Sequence, residues 1–299
     1  MISLLISLIL SILSLSVYVL TVRVIIKHWK SFKTSFFQLY VFEFAVNVVT
    51  YSNSIISIRI PSLVGADNIL SSHYAIQTKT TFWSQLQLAL QFHMAFVQYG
   101  VSLLIALNRM TILIKKDFFA PIWLKWNWVP MTLVFFVPSV ATWPFFFNEV
   151  YFKYVESGDR YQLTSDYNIS GLFTIVFLAL CIITVLVTVC NVMTLIIIRK
   201  LVILRRNLDY QCFLISVCST VVLIIGTGIT FVMKIAEKDS YMYHVTNALL
   251  PFVTDLLSLH QPFVLMIFSS RIREIVLGMV YRTLCCDCCI PFSHQNGRK

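Results

Sequence analysis

The sequence predicts an all-α membrane protein: a seven-transmembrane helix bundle with its N-terminus outside, its C-terminus in the cytoplasm and a short amphipathic eighth helix. Three observations carry that expectation. Only 12% of the 299 residues are charged and 58% are hydrophobic, at a mean hydropathy of +0.82. A soluble domain carries about 25% charged residues, so this chain has too little polar surface to cover a globule in water, and the bilayer is its natural solvent. Seven apolar runs are each long enough to span, at roughly 20 residues per span. Finally, 17 of the 23 lysines and arginines fall on one side of those runs and 6 on the other. The positive-inside rule assigns the larger set to the cytoplasm. The formal net charge of +10 therefore reads as topology. Its basic residues sit in short clusters with no continuous basic face, which argues against a nucleic-acid partner.

The first run covers residues 2–26. It is apolar and N-terminal like a signal peptide, but it lacks a basic start, is too long for an h-region and has no small-residue cleavage site, so it reads as a helix. The second run is 35–58 and the third 86–114. The fourth, 127–147, carries Pro130, Pro138 and Pro144, which kink a spanning helix. The fifth is 171–198, the sixth 212–233, and the seventh 245–268 with Pro251 and Pro262 inside it. After Ser269 the amphipathic stretch 271–284 reads as a surface helix on the inner leaflet. No internal repeat or low-complexity linker interrupts the runs, so residues 1–284 form one domain, followed by a Cys-rich cytoplasmic tail, 285–299.

The outer loop 148–170 carries Glu149, Glu156, Asp159 and Asp166 and ends in the sequon Asn168-Ile169-Ser170, a glycosylation candidate close to the fifth helix. Cys181, Cys190, Cys212 and Cys218 lie within apolar runs, where thiols behave as small apolar groups, so no pair is available for an outer disulfide. Cys285, Cys286, Cys288 and Cys289 follow the surface helix. Juxtamembrane cysteines are palmitoylation candidates. Zinc and plain thiols are the alternatives, and four sulfurs this tightly spaced rarely surround one ion, so no metal site is assigned.

The third run is the hub. At about 100° per residue, Gln87, Gln91, Gln98, Ser102 and Arg109 fall within a sector of about 60°. In lipid such a polar stripe should face the bundle interior. It reads as glue to neighbouring helices or, at Gln91 and Gln98, as the lining of a ligand cavity; His93 falls on the other side and reads as packing. Arg109, flanked by Asn108 and followed by Lys115-Lys116, marks the cytoplasmic end. Two acids lie inside the membrane, Glu43 and Asp255, and intramembrane charges are functional candidates. The two carboxylates could share a proton, hold a cation or pair with Arg109, and the sequence leaves these open. With Pro262 they suggest a two-state latch, with Glu43 the first candidate to restrain Arg109.

Enzyme signatures are absent: there is no Gly-rich phosphate loop, no His-Glu-x-x-His and no Gly-x-Ser-x-Gly. The seventh run has no lysine for a retinal Schiff base, and no cofactor is implied. A transporter would show prolines recurring in register, and a channel would show a filter-like segment.

Leu104-Ile105-Ala106-Leu107-Asn108-Arg109-Met110-Thr111 resembles the end of helix three in the nematode serpentine receptor class gamma family, and the stretch from Asp255 to Leu265, with His260-Gln261-Pro262, resembles that family's helix seven. The resemblance covers the whole seven-helix layout. It implies a G-protein-coupled chemosensory receptor in the plasma membrane of sensory neurons, with membrane lipid, a heterotrimeric G protein and a small-molecule ligand as partners. Asn108-Arg109 would stand where rhodopsin-like receptors have an acidic-Arg pair, and Gln261-Pro262 where they have Asn-Pro, so activation details differ. On this reading Asn108, Arg109, Glu43, Asp255 and Pro262 form the switch, and Gln91, Gln98 and Asn247 line the ligand cavity. The alternative is a seven-helix ligand-gated channel subunit or a small transporter.

Overall fold

The structure is a computed structural model that describes residues 2–65, 71–76, 80–156, 159–200, 207–236 and 240–284, the side chains of 2–10, 75–76, 207–210, 243–244, 247–248, 271 and 279–284 excepted. Among the described residues it is a helix bundle with one small hairpin. In chain order the helices are α1 (Ile2–Lys27), α2 (Trp29–Phe32), α3 (Ser35–Ser54), α4 (Ser71–Ile76), α5 (Phe82–Ile114), α6 (Lys116–Trp126), α7 (Trp128–Phe136) and α8 (Ser139–Thr142). The strands β1 (Val150–Val155) and β2 (Arg160–Ser165) follow. The chain then forms α9 (Ile169–Lys200), α10 (Asn207–Ile235), α11 (Tyr241–Leu259), α12 (Gln261–Phe268) and α13 (Ser270–Leu284).

Five helical segments among the described residues are long and apolar enough to cross a bilayer: Ser35–Leu63, Phe82–Ile114, Trp128–Phe146, Ile169–Lys200 and Gln211–Ile235. A sixth forms if the bent pair Leu249–Leu259 and Gln261–Phe268, 43° apart, is one span. Their outward faces are apolar: Val140, Ile182, Val185 and Val189 are all exposed. Exposed apolar patches on this scale belong in lipid, not water. The chain is a multi-pass membrane protein.

Sequence and structure differ where proline governs. The fourth run is not one helix. α7 takes Pro130 in its first turn, where the missing N–H costs nothing, but it stops at Phe136; Pro138 precedes α8, and Pro144 opens a 3₁₀ turn, Trp143–Phe146. The seventh run tolerates Pro251 inside α11 but breaks at His260, ahead of Pro262. The second run ends in a π-helical turn, Ile55–Arg59. The third run begins earlier than its hydropathy suggests, at Phe82. Thr81 and Ser84 form a capping box that satisfies two orphan amides, with Ser84 N donating to Thr81 Oγ1 and Thr81 N to Ser84 Oγ.

The stretch between the fourth and fifth runs folds into an antiparallel hairpin, with Phe152 opposite Leu163 and Tyr154 opposite Tyr161. Val150, Phe152, Tyr161 and Leu163 are buried and their neighbours face outward, the period-2 pattern of a sheet with one wet face. Tyr74 from α4 stands against both Phe152 and Tyr161, ring centroids 5.0 and 5.6 Å away. The hairpin is tied to the start of α5. Ser84 Oγ donates to the Val150 carbonyl (2.7 Å), and Gln85 Nε2 to the carbonyls of Phe146 and Asn148. Two apolar clusters fill the interior, one under this hairpin and one at the opposite end around α1, α3, α12 and α13.

α5 runs the full depth between them. Gly100 lets α7 approach: a Cβ there would stand 2.6 Å from Val134 Cγ1. α13 begins after the extended Ser269 and inserts Ile272 and Val276 into the lower cluster.

Candidate ligand cavity and polar relay

A cavity of about 140 Å³ opens toward the hairpin end, between α3, α5, α9, α10 and α11. Gln91 and Gln98 both line it, as do Ser54, Tyr99, Thr230 and Thr254. The tyrosine is held: its hydroxyl donates to the Leu223 carbonyl and accepts from Thr227. The threonines return their hydroxyls to their own helices, Thr230 to Gly226 O and Thr254 to Leu250 O. Asn247 lies on α11, but its side chain is outside the described residues.

Gln98 forms the floor. Its Nε2 donates to Asn47 Oδ1 (2.8 Å) on α3 and to Ser258 Oγ (3.0 Å) on α11. Asn47 in turn donates to the Tyr18 hydroxyl on α1 (3.2 Å). One buried amide thus joins three helices directly and a fourth at one remove. Such a group is high-stakes, because every bond lost leaves a buried polar atom unsatisfied.

Below this floor lies a second set. Gln261 Nε2, at the start of α12, donates to Glu43 Oε1 and to Ser219 Oγ, both at 2.9 Å. Ser219 also meets His260 Nε2 at 3.3 Å. Glu43, Gln261, Ser102, Ser216 and Ser219 surround a void of about 10 Å³, about the size of one water. Among the described residues Glu43 Oε2 and Gln261 Oε1 have no hydrogen-bond partner.

The switch residues are not gathered as the sequence suggests. Asp255 forms an ion pair with Arg59, whose Nη2 also donates to the Pro251 carbonyl (3.0 Å). That pair sits toward the hairpin end, so Asp255 belongs with neither Glu43 nor Arg109. The Glu43 carboxylate meets Gln261 rather than Arg109. Arg109 lies over the Phe36 ring of α3, its Cζ 4.1 Å from the centroid. Asn108 donates to Ser35 Oγ (2.8 Å), and Asn127 donates to the Ser35 carbonyl (3.2 Å). Pro262 is buried in the first turn of α12, where it fixes the bend.

Sequence reasoning missed three contributors. Arg59 is one of the six basic residues that the charge count places on the outer side, yet it pairs with the intramembrane Asp255. Gln261 was noted only as part of a Gln-Pro motif. Ser54 carries no sequence signal at all. His93 is buried against Phe135, ring centroids 5.4 Å apart, which fits a packing role. Asn168 Oδ1 accepts from Gly171 N (2.9 Å) at the head of α9, and its side chain is exposed. Cys181, Cys190, Cys212 and Cys218 lie within α9 and α10; Cys285, Cys286, Cys288 and Cys289 are outside the described residues. No cluster of three or more metal-ligating side chains occurs among the described residues.

Apolar spanning helices, a cavity among them and a relay of buried polar groups below it define a multi-pass membrane helix bundle. The comparisons make the assignment specific. A family described as Srg family chemoreceptor matches residues 4–276. Serpentine receptor class gamma-31 of Caenorhabditis elegans is 28% identical over 276 residues, covering 89% of this chain and 88% of its own length. The chain belongs to the Srg chemoreceptor family.

Proposed function

We propose that this chain is a G-protein-coupled chemosensory receptor of the plasma membrane, in sensory neurons, that detects a small molecule. α1 joins the six apolar segments above as the first of seven spans, within a single domain, 1–284. The N-terminus lies outside with the hairpin, and the basic ends of α5 and α9 and the surface helix α13 lie in the cytoplasm. The lysine and arginine distribution supports that orientation. The cue enters the cavity bounded by Gln91 and Gln98. A heterotrimeric G protein meets the inner end, where Asn108 and Arg109 close α5.

One observation carries the reading: the cavity floor is Gln98, and its hydrogen bonds hold α3 and α11 together. A ligand that moves either helix must strain this amide, and the strain is passed toward the α12 bend. A ligand shifts a receptor only by binding one state better than the other, and a shared amide above a proline bend supplies two discrete arrangements. Glu43 and Gln261 then respond at the lower level, and Arg109 on Phe36 is the cytoplasmic reporter. Glycosylation of Asn168 and palmitoylation of the tail cysteines accompany this topology.

The test is a ligand-library screen in transfected cells with calcium and cAMP readouts, and Arg109→Ala as control. The expected result is a ligand response that Arg109→Ala abolishes at normal surface expression. Responses that survive that substitution refute the switch assignment. Cation current without a G protein refutes the receptor reading in favour of a channel, as does a Met1 tag that stains only after permeabilisation.

A further inference from the structure

We infer that the cavity takes a compact neutral molecule carrying one hydrogen-bonding oxygen, held by Ser54. This rests on the proposed function and narrows its ligand class. Size comes first. A cavity of about 140 Å³ compares with one of about 150 Å³ that accepts benzene, so the occupant has about six to eight non-hydrogen atoms. Charge comes second. None of the residues lining the cavity is ionisable except Tyr99, and the neighbouring Arg59 and Asp255 are committed to each other. An ion entering here would leave water without a counter-charge, which is costly.

The hydrogen-bonding group comes third. Ser54 is 3% exposed, and its hydroxyl has no hydrogen-bond partner among the described residues. It lines the cavity from α3. Buried hydroxyls are normally satisfied, so an unpartnered one on a residue that lines a cavity marks a place for a partner. Most other polar side chains around the cavity are engaged: Asn53 donates to the Gln87 carbonyl, and Gln98, Tyr99, Thr230 and Thr254 are bonded as described. Because a hydroxyl both donates and accepts, Ser54 suits an alcohol, a ketone or an aldehyde.

The experiment uses full-length receptor in nanodiscs and ligand-observed NMR with four probes of matched shape: toluene, benzyl alcohol, benzylammonium and benzoate. Benzyl alcohol should bind best, toluene more weakly, and the two ions at least tenfold more weakly than the alcohol. Ser54→Ala should weaken benzyl alcohol about fivefold and leave toluene unchanged, which also reports that the variant is folded. Either ion binding as well as the alcohol, or no binding by any probe, overturns the inference without using a variant. Equal loss of toluene and alcohol in Ser54→Ala overturns the assigned contact. Ala95→Phe fills the cavity and should abolish binding. If the alcohol still binds to that variant, the cavity is not the site, and the site reading of the proposed function falls as well.

Discussion

Arg59 and Asp255 should behave as a coupled pair whose halves cannot be removed singly. Their side chains are 8% and 17% exposed, so neither is screened as a surface pair would be. Asp255→Leu removes the counter-charge and leaves a guanidinium that cannot shed its proton. Arg59→Met leaves a carboxylate that can take one up, and also loses the bond to the Pro251 carbonyl. Breaking a buried pair from one side costs about 3–5 kcal/mol, whereas replacing both members by apolar groups is often neutral. The expected order of stability is wild type close to the double variant Arg59→Met/Asp255→Leu, then Arg59→Met, then Asp255→Leu. For a chain of this size 1 kcal/mol moves Tm by roughly 2 °C, so Asp255→Leu should melt roughly 6–10 °C below wild type. The assay is thermal unfolding of purified protein in one detergent at one scan rate, because unfolding of such proteins is commonly irreversible. A double variant whose loss equals the sum of the single losses would refute the pairing, since contacting groups must show coupling.

Three further outcomes follow from the same geometry. Gln98→Leu leaves Asn47 Oδ1 and Ser258 Oγ without their donor and should cost about 2–4 kcal/mol; a Tm within 1 °C of wild type, to be read as about 0.5 kcal/mol or less, would remove the amide from the relay. Ser84→Ala loses the Thr81 N to Ser84 Oγ half of the capping box and the bond to Val150, and hydrogen exchange should quicken in the hairpin, 150–165, while the lower halves of α5 and α9 are unaffected. In that hairpin Tyr154 donates to Asp159 Oδ1 at 2.7 Å, and that bond to the carboxylate pushes the phenol up to about 12 from its ordinary 10. A phenol held protonated in the folded state favours folding fully below pH 10, and that contribution is lost as pH rises through 12. Carbon-13 NMR of labelled tyrosine should show, among its late-titrating resonances, one near pH 12 that Tyr154→Phe removes.

Much of the fold was legible because hydrophobic length is a strong signal in a bilayer and few structures can cross one. The third run illustrates this: Gln91 and Gln98 share a face by helical period, and they line one cavity. Legibility failed where the outcome depended on a partner distant in sequence. Glu43 and Asp255 are both intramembrane acids, yet one meets a glutamine and the other an arginine, because register between helices decides and no local pattern records it. The hairpin was missed for a different reason. Its segment Val150-Tyr-Phe-Lys-Tyr-Val155 is short and mixed, and the acids around it mask a period-2 pattern with charge. α6 was hidden by Lys116, Asp117 and Pro121, which read as a loop but occupy positions in or near its first turns.

The break at His260 divides the polar relay at an informative point. Ser258, on the last turn before it, is held by α5 through Gln98. Gln261, just after it, is held by α3 through Glu43 and by α10 through Ser219. The His260 ring itself spans the gap, with Nδ1 at 2.7 Å from the Leu256 carbonyl and Nε2 at 3.3 Å from Ser219 Oγ. The two halves of this segment, bent by 43°, are therefore anchored to different helices, and the angle between them cannot change while all of these bonds persist. Buried bonds of this kind are exchanged as a set, because leaving any one half-made costs the desolvation of both partners. The bend is thus constrained to discrete settings. Its upper anchor, Gln98, also lines the cavity, so a group of the cavity wall is one that fixes the bend.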